Sequence, residues 1–191
     1  KRDVATIQSV ITQASNAITT LDTTVKAFNG QDFTQLATNA ASLKTVLTQG
    51  TSTIQGTAAI SAQDAITLQS SLSPIQSSAA SLSSDLVAKK PQIQQASLCD
   101  IVQQQTTDIG SAANSLISAT VSKVPSTLQS VATQLTGQFT GQLTDLSAQF
   151  APGNCTNAAG GSAAVAGIAF SNSSAATAST SSTKTASASS S

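Results

Sequence analysis

Apolar residues recur through the first 150 positions at alternating steps of three and four, which places them on one face of an α-helix. The first such stripe is Val4, Ile7, Ile11, Ala14, Ile18, Leu21, Val25 and Phe28. The sequence NGQD at 29–32 interrupts it, because Asn-Gly disfavours helix and Asp32 can cap the helix that follows. The same spacing then resumes in Phe33, Leu36, Ala40, Leu43, Leu47, Gly50 and Ile54. The chain is therefore predicted to open with two long helices.

A third helix is predicted from Ser61, since Ser61 and Asp64 have the spacing of a capping box. Its stripe is Ala65, Leu68, Leu72, Ile75, Ala79, Leu82 and Leu86. The register does not change at Pro74, so we expect one kinked helix rather than two separate helices.

Two more helices complete the pattern. The fourth is predicted from about Gln92 to Ala119, with Leu98, Val102, Gln105, Ile109, Ala112 and Leu116 in register. Pro125 opens the fifth, which carries Leu128, Val131, Leu135, Phe139, Leu143, Leu146 and Phe150 until Pro152-Gly153 stops it. Five long helices with short connections predict an all-α fold, an antiparallel five-helix bundle. One continuous coiled coil is the alternative, and the four breaker clusters disfavour it.

The composition changes after the fifth helix. From 171 to 191, 14 of 21 residues are Ser or Thr and none is Leu, Val or Ile. Such a segment cannot bury enough apolar surface to offset its ordering entropy. We therefore predict a helical domain over 1–155 and a disordered tail over 156–191. In a secreted protein this tail fits an O-glycosylated stalk, and a plain flexible linker is the alternative.

The residue palette excludes several function classes. Charged residues make up 8% of the chain and its formal net charge is +0, which rules against nucleic-acid binding. The chain has no His and no Glu, so it offers no Ser-His-Asp relay and no ordinary zinc site. No two of its eight acids, all Asp, have the helical spacing of a catalytic pair. No apolar run approaches the length of a transmembrane segment. We predict a protein that is not an enzyme and needs neither metal nor cofactor.

The two cysteines, Cys99 and Cys155, indicate one disulfide in an oxidising compartment, with two free buried thiols as the alternative. The bridge is geometrically reasonable, because an antiparallel fifth helix ends near the start of the fourth. Two glycosylation sequons, at Asn154 and Asn172, agree with a secreted, extracellular or wall location. Asn172 is the preferred acceptor, since Cys155 occupies the middle of the other sequon.

The stripes contain few large side chains, which allows either tight packing or an unfilled channel along the bundle axis. The predicted apolar lining of such a channel is Ile7, Ile11, Ile18, Leu21, Val25, Phe28, Phe33, Leu36, Leu43, Leu47, Leu72, Ile75, Leu82, Val102, Ile109, Leu116, Leu128, Leu135 and Phe139. Gln105 is a polar residue on the stripe of the fourth helix and a candidate hydrogen-bond donor to a ligand head group. A buried Gln satisfied by a neighbouring helix, or an error in the stripe register, is the alternative.

Three stretches and the Ser/Thr-rich tail together resemble the fungal hydrophobic surface-binding protein A family, which includes cell-wall galactomannoproteins. The stretches are RDVATIQSVITQASNAITTLDTTVKAFNG, LSPIQSSAASLSSDLVAKKP and SLCDIVQQQTTDIGSAANSLI, and the resemblance covers about residues 3–150. It implies a secreted or wall-attached helical bundle without enzymatic activity. Members bind hydrophobic surfaces, in some cases recruiting secreted hydrolases, and some enclose long-chain fatty acids.

Three functions therefore compete at this point. The first is a module that holds a fatty acid in a central apolar tunnel. The second is a coat or adhesin that adsorbs to hydrophobic surfaces and recruits hydrolases. The third is a purely structural wall mannoprotein.

Overall fold

The structure is a computed structural model that describes residues 2–31 and 33–158, and over these ranges it contains helices and no strand. The helices are α1 (Arg2–Ala27), α2 (Thr34–Gln55), α3 (Ala62–Ala88), α4 (Lys90–Gln95), α5 (Cys99–Val121) and α6 (Ser126–Gln149). The all-α prediction is confirmed. The predicted cap Asp32, Asn172 and almost all of the predicted tail lie outside the described residues.

The third helix begins and continues as its sequence predicts. The Ser61 hydroxyl oxygen accepts a hydrogen bond from the Asp64 N–H at 3.2 Å, and the hydroxyl donates to the Asp64 carboxylate at 2.7 Å. α3 then runs without interruption through Pro74, so the prediction of one helix rather than two is confirmed.

The single fourth helix predicted over about 92–119 is wrong, because α4 and α5 are separate helices. Ser97 adopts a left-handed conformation with φ 57°, which an α-helix cannot accommodate. Two hydrogen bonds close the end of α4 in the pattern of a Schellman motif: Ser97 N–H to Gln94 O at 3.1 Å, and Leu98 N–H to Ile93 O at 3.0 Å. The usual sequence signal for such an end is Gly or Asn, so a serine gives no warning of it.

The five long helices are arranged as a ring of neighbours. α1 packs against α2 and α3, α2 packs against α5, and α5 packs against α6. α6 completes the ring against α3, and this side is the most sparsely packed of the five.

Contacts near the helix ends fix the directions. Asn39 Nδ2, early in α2, donates to Thr24 Oγ1, late in α1, at 2.7 Å, so α1 and α2 are antiparallel. Lys26, in the last turn of α1, forms an ion pair at 3.3 Å with Asp85 near the end of α3, so these two helices run parallel. Lys123 Nζ, just after α5, donates to Gln55 O at the end of α2 at 2.9 Å, so α2 and α5 are parallel. Thr107, early in α5, is hydrogen-bonded through its hydroxyl to Ser147, late in α6, at 3.0 Å, so α5 and α6 are antiparallel. The predicted antiparallel packing thus holds for α1–α2 and α5–α6, whereas the ring also contains parallel neighbours.

The segment after α6 returns to the start of α5 and is fastened there. Cys99 and Cys155 form a disulfide with a Cα–Cα distance of 5.7 Å, which confirms the predicted bridge. Asn157 Oδ1 accepts from the Cys99 N–H at 3.0 Å, and the Ala158 N–H donates to Gln94 O at 2.9 Å. We call this region, where α4, α5 and residues 150–158 meet, the disulfide end.

Large side chains fill the core at the disulfide end. The residues buried in or next to its turns are Phe28, Phe33, Ile93, Leu98 and Phe150. They are continuous with one apolar core that also reaches Ile7, Ile54 and Ile60 at the other end. Among the described residues, no helix is both long and apolar enough to cross a membrane.

Candidate ligand-binding cavity

An interior cavity of about 230 Å³ lies between the five long helices. On the α1–α2 side its lining residues are all buried: Ile11, Ala14, Ile18, Leu43, Leu47 and Ile54. α5 and the turn after it contribute Ile109, Ala113, Leu116, Ile117, Thr120, Val121 and Val124. The one hydroxyl in this group, that of Thr120, donates to Leu116 O at 2.8 Å. These walls are therefore apolar, and their hydroxyl hydrogen is already bonded.

α3 and α6 form the opposite side of the cavity, which is less covered. α3 contributes Ala65, Ile66, Leu68, Leu72, Ile75, Gln76, Ala79, Leu82 and Ser83, and α6 contributes Leu128, Thr136, Phe139, Gln142, Leu143 and Leu146. Ile66 is 55% exposed, and Gln76 and Gln142 are exposed as well. Because α3 and α6 are also the most sparsely packed pair among the five long helices, the cavity opens to solvent between them. We call this opening the α3–α6 mouth and define it by Ile66, Gln76 and Gln142.

The cavity follows from where small and large side chains stand along the stripes. Its lining spans residues 65–83 of α3 and 128–146 of α6, roughly 27 Å along each helix. Alanines occupy inward positions in the middle of the ring at Ala14, Ala79 and Ala113. Protein interiors ordinarily leave few voids larger than a water molecule, so an elongated space of this size can accept an apolar guest.

Apart from Thr120 on α5, the polar side chains of the lining lie on the α3–α6 side. The side chains of Gln76, Ser83 and Gln142 make no hydrogen bond with another described residue. No lining residue is charged. The cavity can therefore hold an apolar chain along its walls and offers uncharged hydrogen-bonding groups at its open side.

Comparison with known proteins assigns the chain to a family. The family model described as hydrophobic surface binding protein A matches residues 4–122, more than half of the chain. The chain belongs to the hydrophobic surface binding protein A family. This family member is also similar to cell wall mannoprotein 1 of Aspergillus flavus, with 29% identity over 126 residues. The match covers 66% of this chain and 46% of the mannoprotein, so the chain spans less than half of that relative's length.

Solved structures with the same fold carry lipids. Ligand binding domain 1 of the Penicillium marneffei MP1 protein, complexed with arachidonic acids, has a TM-score of 0.72 at 22% identity, covering 78% of this chain and 99% of that domain. AFMP4P in complex with palmitic acid has a TM-score of 0.73 at 23% identity, with 78% and 99% covered. Ligand binding domain 2 of MP1, complexed with multiple arachidonic acids, gives 0.72 at 23%, with 80% and 98% covered. At these identities the likeness establishes a shared fold.

The cavity of this family member brings together many of the residues predicted from the stripes. The predicted residues that line it are Ile11, Ile18, Leu43, Leu47, Leu72, Ile75, Leu82, Ile109, Leu116, Leu128 and Phe139. Those buried in the core away from the lining are Ile7, Leu21, Val25, Phe28, Phe33, Leu36 and Val102. The stripes run the full length of the helices, whereas both ends of the core are filled, so the stripes over-predict the lining. The side chain of Leu135 is not among those that the structure describes.

Gln105, the predicted head-group residue, is half-buried and does not line the cavity. The neighbouring Thr106 takes the buried position on α5, with its hydroxyl donating to Val102 O at 2.7 Å. The predicted stripe steps three residues from Val102 to Gln105, whereas the buried face of α5 continues four residues on, at Thr106.

Several lining residues stand directly beside the predicted stripes. Ile66 follows Ala65, Ile117 follows Leu116, and Gln142 precedes Leu143. A stripe drawn two residues wide would have included the two isoleucines, whereas no sequence signal distinguishes Gln76 and Gln142 from the many other glutamines.

Asn154, one of the two predicted glycosylation acceptors, is exposed just after α6. Its Nδ2 donates to Ala148 O at 2.8 Å and so helps to close the last turn of that helix. Modification at this residue stays a prediction, as does modification at Asn172.

Proposed function

We propose that this chain is a non-enzymatic lipid-binding protein of the fungal exterior or cell wall, whose five-helix bundle holds a long-chain fatty acid in a central apolar tunnel. A disordered, O-glycosylated tail follows the bundle in this proposal. The observation that carries it is the interior cavity of about 230 Å³, with apolar walls contributed by all five long helices.

The energetics favour an occupied cavity. Apolar walls exposed to water in an empty cavity lose the contacts that a close-packed interior would give them, and an apolar guest restores those contacts. Each methylene that moves from water into the cavity gains about 0.8 kcal/mol, before the cost of association. A long alkyl chain therefore suits the cavity better than a compact ligand, since its length matches the elongated lining.

The relatives support the same ligand class. Arachidonic and palmitic acids occupy structures that share this fold, and a relative with 29% identity is a cell wall mannoprotein. We assign the fatty acid, the wall location and the absence of enzymatic activity to this chain on that support.

Adsorption to a hydrophobic surface, with recruitment of secreted hydrolases, is the second candidate function. The observation that favours it is the α3–α6 mouth, where Ile66 is 55% exposed and the helices are sparsely packed. Separation of α3 from α6 would present their apolar faces to a surface.

Native mass spectrometry of delipidated protein titrated with palmitic acid tests the first function. We expect saturable one-to-one or low-stoichiometry complexes. Ala113→Leu should weaken binding about tenfold or more, because Ala113 lines the cavity and the larger side chain occupies ligand space. Its matched control is Ala40→Leu on α2, which is buried outside the lining and should lower stability through overpacking by about 1–3 kcal/mol while leaving the cavity intact.

The two candidate functions give opposite results. No uptake of palmitic acid, together with adsorption to apolar beads, would reject the tunnel in favour of surface binding. If Ala113→Leu and Ala40→Leu lose the same amount of palmitic acid affinity, the loss does not come from a side chain that fills the cavity, and the assignment of Ala113 to the binding site is wrong.

A further inference from the structure

The two helices that flank the α3–α6 mouth carry no positive charge. α3 and α6 contain no Lys or Arg, and their charged residues are Asp64, Asp85 and Asp145. Any formal charge that these helices place near the opening is therefore negative. These two helices therefore supply no cation that could neutralise a carboxylate held at the mouth.

The described lysines are engaged elsewhere. Lys26 and Lys44 form ion pairs with aspartates, and Lys89 and Lys123 donate to backbone carbonyl oxygens near helix ends. Lys90 lies in α4 at the disulfide end. None of these five lysines lines the cavity, so no described cation is placed to pair with a ligand head group.

The groups that the mouth does offer are neutral and have both donors and acceptors. Gln76 and Gln142 each present a carbonyl oxygen and an NH₂ group, and Ser83 presents a hydroxyl, all without a partner among the described residues. A lipid hydroxyl can use both the donors and the acceptors, and an ester can use the donors. A carboxylate uses only the donors and, with no cation nearby, also bears the cost of partial desolvation.

We infer that the cavity binds long-chain lipids with uncharged polar heads, such as fatty alcohols and fatty-acid esters, as well as it binds free fatty acids. This inference rests on the proposed lipid-binding function and extends its ligand class. The alkyl chain occupies the apolar walls, and the polar end lies at the α3–α6 mouth beside Gln76 and Gln142.

Three sixteen-carbon ligands test it: hexadecanoic acid, 1-hexadecanol and methyl hexadecanoate. Each is delivered from cyclodextrin to the delipidated 191-residue chain at neutral pH, and its Kd is measured by native mass spectrometry. We expect at least one neutral lipid to bind within about threefold of the acid or more tightly. The inference is overturned if the acid binds more than threefold tighter than both neutral lipids. If none of the three binds, the proposed lipid-binding function itself fails.

A charge placed at the mouth tests the head-group position separately. Gln142→Lys should shift the ratio of acid to alcohol affinity about threefold toward the acid, the size of effect expected for a partly exposed ion pair. The matched control is Gln134→Lys, at an exposed position of the same helix that does not line the cavity. A shift only in the Gln142 variant supports the assignment. An unchanged ratio in that variant, or the same shift in both, overturns it.

Discussion

Asn157 caps the start of α5 from 58 positions away along the chain. The residue before α5, Leu98, provides no side-chain cap, and the Cys99 N–H is satisfied by Asn157 Oδ1 instead. Asn157 Nδ2 also reaches the Asp100 carboxylate at 3.2 Å. This one side chain therefore joins the segment that follows α6 to the first turn of α5, beside the disulfide.

Removal of this cap should be measurable. Asn157→Ala leaves the Cys99 N–H without its acceptor and should lower the free energy of unfolding by about 1 kcal/mol in urea at neutral pH. Asn157→Asp retains an acceptor oxygen and should recover part of that loss. Equal stability of the Ala variant and the parent would mean that water or the neighbouring backbone replaces the cap.

Lys26 provides a pH-dependent contribution. Hydrogen bonds to Asp22 and then Asp85 raise the pKa of Lys26 above its ordinary value of 10.5. A group whose pKa is higher in the folded state contributes stability that is fully present below its unfolded pKa and is lost as the pH rises through the folded value.

We therefore expect the Lys26 contribution to Tm to stay constant up to about pH 10 and to vanish above it. The chain has no Tyr and both cysteines are bridged, so neither a phenol nor a thiol contributes to the alkaline change in Tm. Lys26→Met should lower Tm at neutral pH and flatten the alkaline fall, as measured by circular dichroism, with Lys44→Met as the comparison. An unchanged alkaline slope in Lys26→Met would contradict this assignment.

At the level of helices, apolar periodicity predicted most of the elements but missed the break between α4 and α5. The steps of three and four located α1, α2, α3 and α6 because apolar residues recur at these steps along most of each helix. The break depends on the left-handed conformation of Ser97, and serine is not a residue type from which that conformation can be predicted. The disulfide was predictable from the cysteine count and the order of the helices, whereas the Asn157 cap depends on a contact that no local pattern records.

Ser97 offers a test of this break. A non-Gly residue in the left-handed region carries a conformational cost that glycine avoids, so Ser97→Gly should raise the free energy of unfolding by about 0.5–1 kcal/mol. Ser97→Ala keeps the cost and loses the 3.5 Å contact from Ser97 Oγ to Ala158 O, so it should be destabilised. Both variants can be compared by urea denaturation. A loss of stability in the Gly variant would show that the hydroxyl contact outweighs the backbone cost.

On the scale of the whole molecule, the stripes identified which faces turn inward but not where space remains. A void depends on the sum of side-chain volumes against the separation of helices, and periodicity reports neither quantity. The position of the mouth could not be predicted from the sequence either, because it depends on α3 and α6 being neighbours in the ring. For the same reason, the sequence does not show that Gln142 lines the cavity whereas Gln105 does not.

The disulfide and the cavity should stabilise the molecule independently. Neither cysteine lines the cavity, so their effects should be additive. Replacement of both cysteines by serine should cost up to about 4 kcal/mol. Palmitic acid at 100 times its Kd should add about 2.7 kcal/mol to parent and variant alike. Thermal unfolding with and without ligand measures both effects, and a smaller ligand gain in the serine variant would show that the disulfide end shapes the cavity.

The two candidate functions compete, because both involve the sparsely packed side between α3 and α6. These helices are separated along the chain by α4 and α5, so no short turn holds them together, and the disulfide secures α6 to α5 rather than to α3. A guest that fills the interior contacts both helices and draws them together, whereas a hydrophobic solid gains most when they part. If both proposed functions hold, lipid loading would inhibit adsorption: the same molecule would coat surfaces when lipid is scarce and would remain a lipid carrier when lipid is abundant.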